Sequence, residues 1–191
     1  MPCYVALLRA INVGGHVVKM DALRAHFDAM GFTDVATFIA SGNVLFTASG
    51  AGAASPATLE RRIAQRLEGE LGYAVETFLR TPAQVAAAAA HEPFGALAPG
   101  DNRYVGFLAA PLDAAGRRAL AAFNTEVDDF AAHGGEVHWR CRVRSSDSTF
   151  TIKKFEKAIG RAATFRNVTT VRKLAAQLQP APEAPDRPRK K

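Results

Sequence analysis

The chain has 191 residues, of which 48% are hydrophobic and 22% charged, an ordinary balance for a folded protein with one large or two small domains. No apolar run reaches the ~20 residues that a membrane-spanning helix requires. The first apolar stretch, 4–18, is broken by polar residues and glycines and lacks a basic leader, so no signal peptide is predicted. Cys3 and Cys141 are too few for a disulfide-stapled secreted scaffold, and we expect reduced thiols in a cytoplasmic protein.

Part of the basic charge lies at the C-terminal end of the chain. The net charge is +6, and residues 179–191 contain four basic side chains against two acidic ones. The rest of the chain is therefore only mildly basic, which permits an anionic partner without requiring nucleic acid. The same segment contains four prolines and no large apolar residue, so a disordered basic tail is predicted at 179–191.

The first half of the chain has the element order of a ferredoxin-like domain, βαββαβ. Its strands are predicted at 4–8, 35–40, 43–47 and 75–79, and its helices at 20–30, from Ser55 to Gly72, and from Thr81 to about 90. Between the second and third strands, Ser41-Gly42-Asn43 predicts a tight hairpin turn. The Gly/Ala/Ser-rich segment 48–54 predicts a flexible loop.

The second half begins with the same order, βαββα. Two prolines and two glycines within 92–102 predict a linker in front of it. Its strands are predicted at 104–108, 127–131 and 136–141, and its helices at 113–123, 151–159 and 168–178. The predicted fold class is therefore α+β. It consists of two tandem ferredoxin-like halves, at 1–91 and 103–178, with antiparallel sheets, C-terminal helices and the tail.

Ferredoxin-like topology brings two loops of the first half to one edge of its sheet. The strand order is 4-1-3-2 with antiparallel neighbours, so the end of strand one lies beside the turn between strands two and three. Glycines allow close backbone approach, loop N–H groups can cradle an anion, and an arginine adds a bidentate charge. The ligand-binding residues predicted in these two loops are Arg9, Asn12, Gly14, Gly15, Ser41, Gly42 and Asn43.

A second group of basic residues lies near the end of the folded part. Arg166 and Asn167 precede the last predicted helix, where Asn167 can cap the helix and its N-terminus favours an anion. Both residues join the predicted ligand-binding set, and Arg9 and Arg166 would line one cleft if the halves pack edge to edge. The remaining basic side chains of this region are typical of a solvated face: Lys153, Lys154, Lys157, Arg161, Arg172 and Lys173.

The sequence contains no recognisable catalytic arrangement. No Ser–His–Asp or paired-carboxylate pattern is present, and neither the dinucleotide fingerprint nor the phosphate-binding P-loop occurs. His138 and Cys141 lie three residues apart on a predicted strand and so point to opposite faces, and no metal site is predicted. The residues therefore identify no reaction, catalytic group or cofactor, and whether the protein is an enzyme stays open.

Two segments rich in motifs open and close the folded part. The first contains Tyr4-Val5-Ala6-Leu7-Leu8-Arg9, Ile11-Asn12-Val13-Gly14-Gly15, Met20, Leu23-Arg24, Gly31-Phe32, Ser41-Gly42-Asn43-Val44 and Phe46. The second contains Phe155-Glu156-Lys157, Gly160, Thr164, Arg166-Asn167, Thr170-Val171 and Lys173-Leu174. Together they resemble the bacterial domain-of-unknown-function family 1697. The chain departs from that family at Ala10, where glycine is usual, and at Val168 and Thr169, where tryptophan and asparagine are usual.

The resemblance implies an α+β fold of two ferredoxin-like subdomains, and it implies no assigned biochemical role. It favours a site made of the two motif regions, because Arg, Asn, Gly and hydroxyl residues in loops serve anions better than they serve packing. The leading hypothesis is a small anionic ligand, phosphate or nucleotide-like, held by these loops. Two alternatives stay open. One is a nucleic-acid-binding module that uses the basic C-terminal helices and tail. The other is a structural or protein-interaction domain without a small-molecule site.

Overall fold

The computed structural model of the protein describes residues 1–13, 15–48, 55–96 and 98–178. The predictions for the tail at 179–191, for the loop beyond Ala48 and for Gly14 lie outside these described residues. No helix within the described ranges is both long and apolar enough to cross a bilayer. Cys3 and Cys141 are free thiols.

The described chain contains eight strands and six helices. In order they are β1 (Cys3–Leu8), α1 (Met20–Ala29), β2 (Thr33–Phe38), β3 (Asn43–Thr47), α2 (Pro56–Leu71), β4 (Thr77–Arg80), α3 (Pro82–Ala90), β5 (Asn102–Leu108), α4 (Ala114–Ala121), β6 (Asp128–His133), β7 (Glu136–Cys141), α5 (Ile152–Ile159), β8 (Ala163–Asn167) and α6 (Val168–Gln177). Local chemistry explains several helix ends. Ser55 caps α2, Gly72 ends it in the left-handed conformation, and Thr81 and Gln84 form a capping box on α3.

The strands form two four-stranded antiparallel sheets. The first has the order β2-β3-β1-β4 and the second the order β6-β7-β5-β8. This confirms the α+β class with two tandem halves, each with the ferredoxin-like strand order. The two sheets also share a register, because Val5 pairs with Arg80 in the first and Val105 pairs with Arg166 in the second. Arg80 and Arg166 therefore occupy equivalent positions.

The segment before the last helix differs from its prediction. Arg166 and Asn167 precede the last helix as predicted, and Asn167 caps it, but together with Thr164 and Phe165 they also form a strand, β8, that was not predicted. This strand pairs along its length with β5, and the Phe165 ring packs where a side chain on Gly106 would lie. Its partner strand comes much earlier in the chain, so the pairing leaves no local pattern in the sequence. With β8 the second half is a complete βαββαβ unit.

Three apolar cores hold these layers together. One lies between the first sheet and helices α1 and α2, and another between the second sheet and helices α4 and α5. The central core is formed by the opposite faces of both sheets together with α3 and α6. It buries Val5 and Leu7 of β1, Val105 and Phe107 of β5, and Val171 of α6. The two halves therefore share a core, and their inner edges meet.

Candidate functional site

A cleft between the two halves contains several of the predicted ligand-binding residues. Its volume is about 460 Å³, and it is formed by the end of β1, the turn between β2 and β3, strand β8 and the start of α6. Arg9, Ser41, Arg166 and Asn167 line it. This space, named the interhalf cleft below, thus brings residues of both motif regions together.

Asn12 supports the loop after β1 and is not among the described residues that line the cleft. Its side-chain oxygen accepts from the Val18 N–H at 2.7 Å, and its amide donates to the Ala40 carbonyl at 2.9 Å. Asn12 has a φ of 55°, a conformation that asparagine tolerates better than most residues. Asn12 therefore ties this loop to the turn before β3. Gly15, with a φ of 89°, lies in the same loop and likewise is not among the described lining residues.

Asn43 is fully buried behind the cleft, with 0% of its surface exposed. Its amide donates to the Phe38 carbonyl at 3.1 Å and to the Ser41 hydroxyl at 2.9 Å. Its side-chain oxygen accepts from Nε of Arg166 at 2.8 Å. Asn43 thus closes the hairpin turn and joins it to the second half. In the structure this motif residue holds the fold together and does not line the cleft.

Gly42 lets the hairpin turn approach the end of β1. Its φ is +71°, and a Cβ there would lie 2.9 Å from Cβ of Ile11 and 3.0 Å from the Leu8 carbonyl oxygen. Gly72 at the end of α2 has a similar φ of +76°, but a Cβ there would meet nothing within 4 Å among the described atoms. The two glycines share one backbone conformation and differ in the space around them.

We expect Gly42→Ala to lower the free energy of unfolding by about 2–3 kcal/mol, because left-handed strain adds to an overpacked contact. Gly72→Ala should lower it by only about 1 kcal/mol, because there the substitution adds backbone strain without a close contact. Denaturant unfolding of both variants measures the difference. Equal losses in the two variants would show that the close approach at Gly42 is not important for stability.

Arg9 forms a bridge between the two halves. One terminal nitrogen donates to Glu76 at 2.5 Å and to Glu156 at 2.7 Å, and the other donates to Glu156 at 3.1 Å. Partial burial opposes the charged form, but the carboxylates of Glu76 and Glu156 outweigh it and raise the pKa of Arg9. Since two carboxylates face one guanidinium, the charge of Arg9 is already balanced.

Arg166 crosses from β8 into the first half. Besides its bond to Asn43, its terminal nitrogens donate to the Thr164 hydroxyl at 2.8 Å and to the Leu8 carbonyl at 2.8 Å. Burial lowers the pKa of Arg166 to about 10, and no carboxylate of the described residues offsets that effect. The side chain therefore stays charged at neutral pH while all its acceptors are neutral groups.

Arg80 makes the same crossing in the opposite direction. From β4 its Nε donates to Glu136 at 2.6 Å, and a terminal nitrogen donates to the carbonyls of Leu108 at 2.9 Å and Gly135 at 3.0 Å. These carbonyls occupy the same positions in the second half as those of Leu8 and Gly42, which accept from Arg166 at 2.8 and 3.5 Å in the first. We name Arg80 and Arg166 the reciprocal arginines.

The two crossings differ in one acceptor. The registers of the β1–β3 and β5–β7 pairs place Glu136 at the position that Asn43 holds in the first half. Arg80 thus has a carboxylate partner, whereas Arg166 has a neutral amide. A cleft of about 300 Å³, equivalent by its lining, contains both Arg80 and Glu136. Of these two clefts, the interhalf cleft is the one whose buried arginine has no carboxylate partner among the described residues. A buried cation without a counter-charge is costly.

Part of the lining of the interhalf cleft, named the apolar wall below, consists of hydrophobic side chains exposed to solvent. Of the five large hydrophobic side chains that are exposed among the described residues, three line this cleft: Val13 at 58%, Ile39 at 51% and Ile152 at 38%. Ile39 also has a φ of 49°, which is an outlier for a β-branched residue. Backbone strain of this kind concentrates at ligand sites. Ile39 thus combines solvent exposure with backbone strain in the lining of the candidate cleft.

The apolar wall and the hydroxyls of Thr164 and Thr170, which also line the cleft, were not predicted from the sequence. In the sequence, Ile39 and Ile152 look like ordinary strand and helix residues, so nothing in their local pattern indicated a place in a cleft. Two of the basic side chains that the sequence assigned to a solvated face form ion pairs: Arg161 pairs with Asp113, and Arg172 pairs with Glu92. No cluster of metal-ligating side chains occurs within the described ranges.

Comparison with known proteins places the chain in a family. The family model described as protein of unknown function DUF1697 matches residues 1–138, which include the first motif region and end within β7. A solved structure, described as that of the conserved bacterial protein SP0830 from Streptococcus pneumoniae, has a TM-score of 0.67 at 22% identity. It covers 93% of this chain and 99% of that one, which shows the fold. No curated protein matches the chain. The chain belongs to the DUF1697 family of proteins of unknown function.

Proposed function

We propose that the protein binds a small anionic ligand in the interhalf cleft. The sequence motifs favour a phosphate or nucleotide-like molecule, and the observation that carries the proposal is the charge of the lining. Two arginines and no carboxylate of the described chain line the cleft. One of them, Arg166, is buried opposite the neutral Asn43, so an anion would supply the missing counter-charge.

Three further features support an anion at this position. The N-terminus of α6 opens into the cleft at Asn167 and Thr170, and helix N-termini favour negative charge. The hydroxyls of Ser41 and Thr170 line the same space and can donate hydrogen bonds. The equivalent cleft offers an internal comparison, because there Glu136 already balances Arg80. Arg9 contributes shape and position more than charge, since Glu76 and Glu156 neutralise it.

We expect Asn43→Asp to weaken the binding of anions in the interhalf cleft by at least about tenfold. The aspartate keeps an acceptor for Arg166 and adds the negative charge that the ligand would otherwise supply. Isothermal titration with inorganic phosphate, AMP and short-chain carboxylates measures the effect. This substitution keeps the acceptor for Arg166 but removes the two donations of the Asn43 amide to Phe38 and Ser41. Denaturant unfolding of the variant therefore accompanies the titration, so that a disturbed turn is distinguished from a neutralised cleft.

Gln84→Glu provides the matched control. It changes the net charge by the same amount, lies in the equivalent cleft, and keeps a residue suited to the capping box of α3. Affinity should be preserved in this variant. If the wild type binds none of these anions, or if Gln84→Glu weakens binding as much as Asn43→Asp, the proposal is wrong.

A further inference from the structure

The lining of the interhalf cleft contains two chemically different groups of residues. One is polar, with Arg166, the hydroxyl residues and the start of α6, and the other is the apolar wall of Val13, Ile39 and Ile152, with large parts of their surfaces exposed. Exposed apolar side chains that converge on one cavity gain free energy only when an apolar group covers them. A purely polar anion would leave this second wall in water.

The polar wall also has few free donors. Each nitrogen of Arg166 already donates to a protein acceptor, among them Asn43, Phe165 and Leu8. Arg9 donates three hydrogen bonds to carboxylates. Among the described lining residues, the side-chain donors without an acceptor are therefore the hydroxyls of Ser41, Thr164 and Thr170 and the amide of Asn167, none of which is an arginine fork. Phosphate sites typically use several N–H donors or a bidentate arginine fork, whereas a carboxylate is served by two or three donors.

We propose that the occupant of the interhalf cleft is an amphipathic monoanion, a carboxylate carried on a short aliphatic body, rather than a phosphate or nucleotide. This rests on the proposed anion binding and narrows its chemistry. The carboxylate faces Ser41, Thr170 and the charge of Arg166. The aliphatic body lies against Ile39 and Ile152. A volume of about 460 Å³ accommodates a ligand of this size.

The test is a calorimetric titration of the wild type with acetate, butyrate and hexanoate, alongside inorganic phosphate and AMP. Affinity for the carboxylates should rise about fourfold for each added methylene that is buried. The double variant Ile39→Asn/Ile152→Ser removes the apolar wall at two exposed positions, and asparagine suits the left-handed backbone at Ile39. In that variant the three carboxylates should bind with nearly equal, weak affinity.

The outcomes separate this inference from the proposed function. Carboxylate affinity that rises with chain length, is lost in the double variant and is weakened by Asn43→Asp supports both. A second outcome is that phosphate or AMP binds more tightly than hexanoate and that Asn43→Asp weakens this binding while the double variant does not. This outcome supports the anion site and rules out the amphipathic ligand. Absence of binding by every anion to the folded wild type overturns both.

Discussion

Replacing Arg80 with methionine is expected to lower the free energy of unfolding by about 3–5 kcal/mol, the usual loss when one partner of a buried ion pair is removed. The Arg80 and Glu136 side chains are only 9% and 12% exposed. Without the guanidinium, the Glu136 carboxylate and the carbonyls of Leu108 and Gly135 lose their shared donor. Denaturant unfolding at neutral pH measures the loss.

Two comparisons make this result specific. Arg66→Met removes an exposed helical pair with Glu70, and it should cost no more than about 0.5 kcal/mol. The double variant Arg80→Met/Glu136→Leu removes both buried charges, and it should recover much of the stability lost in the single variant. If Arg80→Met is no worse than Arg66→Met, the reciprocal arginines do not hold the halves together.

Acidification is expected to destabilise the protein by about 3 kcal/mol through His138 alone. This side chain on β7 is 0% exposed, and both ring nitrogens lack a partner among the described residues. Burial, followed by the nearby charges of His91, Arg103 and His133, lowers the pKa of His138 from 6.5 to about 4. The His91 ring lies 4.8 Å from it, and burial together with His133 and Arg103 lowers the pKa of His91 as well.

The direction in which stability changes with pH follows from proton uptake by the unfolded chain. Between pH 6.5 and 4 the unfolded chain protonates at this position while the folded protein does not, so stability falls as pH falls through that window. The pKa of His138 differs by 2.5 between its ordinary value and its value in the folded protein, which corresponds to about 3 kcal/mol of stability once the whole window has been crossed.

His138→Leu should be no less stable than the wild type at pH 7.5, since the imidazole makes no hydrogen bond to lose. It should also lose stability more slowly on acidification. Denaturant unfolding at a series of pH values measures the free energy of unfolding of both proteins. If it falls equally with pH in the two, His138 does not have this role.

Much of the fold could be predicted from the sequence because its signals are local. Ser55 and Gly72 mark the ends of α2, and Asn43–Thr47 is an apolar strand after a turn, as the structure has it. Strand β8 was missed because its partner, β5, is distant in the chain. The end of β2 was predicted two residues too late, because isoleucine normally favours extended backbone and gives no sign of the left-handed conformation at Ile39.

The candidate site was predictable only in part. Topology correctly implied that the end of β1 lies beside the hairpin turn, where the Leu8 N–H donates to the Gly42 carbonyl at 2.7 Å. The sequence did not indicate that Asn12 and Asn43 hold these loops from behind, or that Glu156 reaches Arg9 from the other half. Those roles depend on how the two halves pack, and the distribution of charge in the cleft depends on the same packing.

The central claim is that the interhalf cleft is an anion site, and the isoleucine methyl groups test it most directly. The chain has five isoleucines, and three of them, Ile11, Ile39 and Ile152, line the cleft, Ile11 at the boundary between the cleft and the core that contains Ile63. Ile63 and Ile159 are buried in cores on the far sides of the sheets and do not line the cleft. Isoleucine methyl spectra should be recorded while hexanoate, and separately phosphate, is added to the labelled protein. We expect saturable shifts at the three cleft methyls, little change at the two core methyls, and weaker binding in Asn43→Asp. Cleft methyls that stay unmoved by every anion, or that shift no more than the core methyls, would contradict the claim.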